Sequence, residues 1–117
     1  MLNLESGLAA FVAEDYTKAF SLLKPMAEQG DAEAQCLIAN MYHLGLGLER
    51  SVSEAISWYV RSAEQGYGLA SNNLGGIFMA GDEGVAPDRE LAKKWYRKAK
   101  EQGFLHVPSN EYLESRS

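Results

Sequence analysis

One cysteine, Cys36, stands among 117 residues, so no disulfide can form within the chain. A small domain without that staple must hold together by packing alone, as proteins of reducing compartments do. Prolines number three, too few for a linker or a low-complexity segment. Positive charge is in deficit: eleven Lys and Arg stand against sixteen Asp and Glu, for a net charge of −5. That balance disfavours general nucleic-acid binding, which needs phosphate-neutralising cations. No apolar run approaches the roughly 20 residues that a membrane helix requires. The N-terminal Met-Leu-Asn-Leu-Glu-Ser has neither the basic region nor the apolar run of a signal peptide. A single cytoplasmic domain, bound to neither nucleic acid nor membrane, is the expectation. A hydrophobic content of 46% is enough for its core.

A repeat fills the space between these absences. Ala-Glu-Gln-Gly occurs at 27–30 and again at 63–66, and Lys-Glu-Gln-Gly occurs at 100–103. The closing glycines are Gly30, Gly66 and Gly103, so the period is 36 (66 − 30) and then 37 (103 − 66). Periods of about 20–50 residues mark stacked repeat proteins, whose chains offer a surface rather than a reaction centre.

Each unit contains two helical patterns. In the second, Ala34, Leu37, Ile38, Met41 and Tyr42 recur at three- and four-residue steps, an amphipathic stripe. Gly45-Leu46-Gly47 then ends that helix. Ser51 to Glu54 has the form of a capping box and opens the next one. Asp15 and Asp88 occupy the matching place, each fifteen residues before its glycine, as Ser51 is (30 − 15, 66 − 51, 103 − 88). The second helices bury Ala55, Trp58, Tyr59 and Ala63 in one unit, and Leu91, Ala92, Trp95, Tyr96 and Ala99 in the next.

The domain 1–117 therefore divides into a degenerate unit at 1–30, full units at 31–66 and 67–103, and a C-terminal cap at 104–117. The first unit lacks the Gly-x-Gly loop, as suits a terminal repeat. Its Pro25 predicts a kink or short break near Leu22–Lys24, because a proline inside a helix removes one hydrogen bond. Phe104, Leu105 and Tyr112 are expected to cover the end of the stack.

Ala34-Gln35, Tyr42, Gly45, Gly47, Ala55, Trp58-Tyr59 and Gln65-Gly66 resemble the Sel-one-like repeat, a longer-looped relative of the tetratricopeptide repeat. Leu74-Gly75, Gly81, Gly84-Val85, Asp88, Ala92, Trp95-Tyr96 and Gln102-Gly103 repeat the likeness. Ala39, Ser51 and Phe78 depart from the pattern by small swaps. The resemblance implies an all-α, right-handed α-solenoid of about three helix pairs, acting as an adaptor. It also implies that the first helix of each pair lines a concave surface.

On that surface the candidates for binding are Glu33, Cys36, Asn40 and His43 in the second unit, and Leu69, Asn72, Asn73 and Met79 in the third, with Gly76 between them. Asparagine amides carry both donors and an acceptor and suit a peptide backbone. They are also poor helix formers, and satisfying a buried neighbour would equally explain them. Cys36 and His43 lie seven residues apart, about 10.5 Å along a helix, too far for a nucleophile and its base. A buried Cys36 acting as a small hydrophobe is the simpler reading. Two histidines and one cysteine make no zinc pattern, so neither metal nor cofactor is expected.

The last second-helix is basic. Lys93, Lys94, Arg97 and Lys98 form an outer patch, read as a solvated face or as a dock for an acidic partner. A favourable pair of Glu90 with Lys94 is expected there. The sequence thus indicates a non-enzymatic module that binds another protein or a peptide. A small intracellular inhibitor or immunity-type protein is the alternative, and a hydrolase the less favoured one. Weak self-association through the stack ends is a further expectation.

Overall fold

The computed structural model describes residues 4–104. They form six helices: α1 (Leu4–Val12), α2 (Tyr16–Glu28), α3 (Ala32–Leu44), α4 (Val52–Glu64), α5 (Gly68–Ala80) and α6 (Arg89–Glu101). Each packs on the next in chain order, so the chain stacks as three helix pairs in an all-α solenoid. Leu105 and Tyr112, and most of the expected cap, lie outside the described residues.

Local chemistry sets the helix starts. Asp15, Asp31, Ser51 and Asp88 are N-caps, and each accepts a hydrogen bond from the backbone N–H three residues on. Such caps are worth about 1 kcal/mol each. The box at Ser51 is half made. Ser51 accepts from the Glu54 amide, but its own N–H donates to the Tyr42 carbonyl at 2.9 Å. Asp88 does the same toward Phe78 at 2.7 Å. These bonds tie the start of each second helix back to the first helix of its pair.

All the helix ends but that of α5 share one solution. Gly30, Gly45, Gly66 and Gly103 have positive φ, and the next residue's N–H reaches a carbonyl five residues back. That is the Schellman arrangement, in which the turning residue is left-handed. The first unit uses it too, and there Glu14 turns with φ 60. Among the described residues it is the only non-glycine with positive φ. This turn replaces the missing loop between α1 and α2.

The helix α2 runs through Pro25 without the expected break. The missing hydrogen bond falls on the Ser21 carbonyl, and Ser21 is exposed, so water can take its place.

Leu23, Ile38, Met41, Tyr59 and Leu74 are the large side chains of a core that runs through all three pairs. Of the residues expected to be buried on α4 and α6, Leu91 alone is half-buried. Polar contacts join the units. Gln35 donates to the Ala27 carbonyl at 3.0 Å and accepts from the Gln65 amide at 2.8 Å. At the next junction Gln102 donates to the Ala63 carbonyl at 2.8 Å and accepts from the Ser71 hydroxyl at 2.6 Å. Ser62, fully buried, donates to the Ala32 carbonyl at 2.7 Å.

Candidate functional site

A groove of about 620 Å³ runs between α3 and α5. Asn40, His43 and Leu44 line it from α3, and Leu69, Asn72, Asn73, Gly76, Ile77 and Ala80 from α5. Tyr59 of α4 and Tyr96 of α6 form part of its lining, and Gly81 and Asp82 close one end. The helix period explains the lining on α5. Leu69, Asn72, Asn73, Gly76 and Ala80 recur at three- and four-residue steps and so share a face.

Asn40, His43, Leu69, Asn72, Asn73 and Gly76 therefore meet in one place. Glu33, Cys36 and Met79 do not line the groove. Cys36 is 2% exposed and cannot touch a partner. Burial, with the nearby Glu33 carboxylate adding to it, pushes its thiol up to about 12. It is held neutral and is no nucleophile at physiological pH. Met79 packs against Ala92 and Tyr96 instead.

The asparagines divide their work. The Asn40 side-chain carbonyl accepts from the Tyr59 hydroxyl and, at 3.4 Å, from the Asn73 amide. Asn40 thus anchors a buried tyrosine, and its acceptor is used within the fold. Burial raises the Tyr59 hydroxyl well above the usual phenol range, so Tyr59 remains a donor. Asn72 differs. Its Oδ1 is buried and has no hydrogen-bond partner among the described residues. Leaving such an acceptor unpaired costs about 1–3 kcal/mol, a debt that a bound donor would remove. Beside it the apolar Leu44 and Leu69 are 63% and 38% exposed.

Asp82 stands at the closed end of the groove. Asp82 and Val85 exchange both backbone hydrogen bonds, at 2.9 and 2.8 Å, around Glu83-Gly84. This tight turn contains the extra residue of the third unit. It aims the Asp82 carboxylate at His43 Nε2, 3.1 Å away, and at Arg50 Nη2, 2.6 Å away. Arg50 also donates from Nε to the His43 carbonyl at 2.7 Å and pairs with Glu83 at 3.3 Å. The Arg50 hydrogen bond is the largest of the effects that hold Asp82 down at about 2. The His43 ring meets Tyr59 edge to face, 6.1 Å between centroids. The loops after α3 and α5 are thereby latched together at the end of the groove. Opposite charges in equivalent loops, Arg50 and Asp82, were the available sequence signal.

The basic residues of α6 also sort themselves. Lys94 and Lys98 lie over the Trp95 ring, 5.9 and 5.5 Å from its centroid. Lys93 is only 16% exposed at its side chain and approaches Glu90 at 3.8 Å, so it belongs less to the outer face than the sequence suggested. Glu90 pairs with Lys93 rather than with the expected Lys94, which turns to the indole. Arg97 is exposed.

Comparison with known proteins places this geometry. The Sel1 repeat matches residues 3–31, 32–67 and 68–104. The chain belongs to the Sel1 repeat family. Chitin synthase regulatory factor 3 of Schizosaccharomyces pombe is 40% identical over 87 residues, 73% of this chain and 9% of that protein. The ERAD-associated E3 ubiquitin-protein ligase component HRD3B of Arabidopsis thaliana is 36% identical over 86 residues, 74% of this chain and 14% of its own. This Sel1 repeat chain thus matches only a small part of these relatives. A Sel1 repeat protein from Oxalobacter formigenes has the same fold, with a TM-score of 0.80 and 38% identity over 86% of this chain and 41% of the other. A protective antigen of uropathogenic Escherichia coli with an SLR fold gives 0.72 and 39% over 75% of this chain and 19% of that one.

Proposed function

We propose that the chain is a non-catalytic interaction module that binds a peptide segment of another protein in the groove between α3 and α5. Sel1 repeat proteins are protein-interaction modules, and relatives are named as a regulatory factor and as a component of a ligase. The observation that carries the groove reading is Asn72. A buried acceptor without a donor lies next to exposed Leu44 and Leu69. A peptide supplies both needs at once, an apolar side chain for the leucines and a backbone N–H that the Asn72 amide oxygen meets when its side chain turns toward the groove. The neutral, buried Cys36 thiol supports a scaffold over a thiol hydrolase.

The test is selection of ligands from a displayed random-peptide library, followed by calorimetric titration of an enriched peptide. Asn72→Leu should weaken binding about tenfold, or ~1.4 kcal/mol. Its melting temperature should not fall, because the change removes an unpaired buried polar group. Leu69→Asp should abolish binding. Full affinity in both variants would place the peptide elsewhere.

A further inference from the structure

The second helices carry a feature that the groove does not use. Trp58 of α4 and Trp95 of α6 occupy equivalent positions, and each indole holds two cations. Lys24 and Arg61 lie 5.7 and 4.2 Å from the Trp58 centroid. Over Trp95, Lys98 takes the place of Arg61, and Lys94 of the same helix is the second cation. Lys24 reaches from α2 and also lies over Phe20, at 5.2 Å. The first station joins α2 to α4 and the second lies on α6, one cationic station per unit of the second and third repeats.

None of Lys24, Arg61, Lys94, Arg97 or Lys98 forms an ion pair among the described residues. In an acidic chain that is informative. With two of the sixteen carboxylates and six of the eleven cations on α6, the rest of the chain holds fourteen acidic residues against five basic ones (16 − 2 and 11 − 6). Carboxylates are abundant, yet Lys24, Arg61, Lys94 and Lys98 meet ring faces. An aromatic face attracts a cation without neutralising its charge. It also holds the long side chain in place, so less freedom is lost when an anion arrives.

We infer that this ridge across α2, α4 and α6 is a second docking surface, and that it takes an acidic segment of a partner protein. A run of carboxylates would pair with the ring-held cations at Trp58 and Trp95 and with Arg97. A protein segment fits better than nucleic acid. A continuous phosphate backbone would also meet the net −5 of the whole chain, whereas a short acidic stretch need meet only the ridge.

The probe is fluorescein-labelled octaglutamate, titrated into the whole protein at low salt and followed by anisotropy and by tryptophan emission. Saturable binding that weakens as salt rises is expected. The triple variant K94Q/R97Q/K98Q and the double variant K24Q/R61Q should each weaken it about tenfold. Both keep the indoles, and their melting curves report whether they stay folded. Asn72→Leu should leave octaglutamate binding unchanged, which separates this surface from the groove. No binding at low salt, or full affinity in either cation variant, would overturn the ridge. Tighter binding of a single-stranded oligonucleotide of equal charge would overturn the choice of partner. So would a low-salt dimer that the triple variant abolishes, since the acidic face of a second copy would then be the occupant.

Discussion

The side-chain amide of Gln35 donates to the backbone carbonyl of Ala27 across the first junction between units, 3.0 Å apart, with Gln35 itself 2% exposed. Its own carbonyl accepts from Gln65. Truncation to alanine would strip the Ala27 carbonyl of this donor and leave a cavity. Gln35→Ala should cost about 2–3 kcal/mol. A urea denaturation series would measure it, and an unchanged midpoint would mean that the junction is held by apolar packing alone.

Adjacent glycines in α5 should respond in opposite directions. A Cβ at position 75 would lie 2.6 Å from the Tyr96 ring, which is itself buried. Gly75→Ala should therefore destabilise by about 2 kcal/mol through overpacking. At position 76 the nearest atom to an added Cβ is the Tyr96 hydroxyl, at an ordinary 3.7 Å. Gly76→Ala should stabilise the helix by about 0.5–1 kcal/mol. Thermal melts of the two variants side by side would test the sign.

The latch at Asp82 sets a pH dependence. Its carboxylate sits at about 2 in the folded chain, below the ordinary range near 4. Folding thus favours the ionised form. The stabilisation is fully present above the unfolded value and is lost as pH falls toward 2. Asp82→Asn should lower stability at neutral pH by about 1 kcal/mol, the scale of a largely solvated ion pair. The difference from wild type should shrink between about pH 4 and pH 2. A gap that persists undiminished at the acid end would assign the loss to the turn rather than to the charge.

The repeat and the helix caps were legible because their causes are local. A cap and its partner lie three residues apart, and a turning glycine acts on its own backbone. The same directness made the closing Gln-Gly a reliable marker. Pro25 misled because its missing bond falls on exposed Ser21, a matter of which side faces water. Cys36 was placed with Asn40 and His43 on one stripe, but α3 packs against both α2 and α4 and leaves only a narrow strip open. Asn40 and Asn72 look alike in sequence. Only the position of Tyr59, nineteen residues away from Asn40, separates an amide used by the fold from one left unpaired. Asp82 stayed hidden for the same reason, since His43 and Arg50 reach it from another unit.

At both junctions the glutamine contact draws its side chains from the later unit alone: Gln35 with Gln65, then Gln102 with Ser71. To this contact the earlier unit contributes only a main-chain carbonyl, which every residue possesses. A duplicated unit would arrive carrying its own pair of side chains and would find its acceptor already waiting. As far as this contact goes, tandem duplication can therefore lengthen such an array without a matching change in the neighbour.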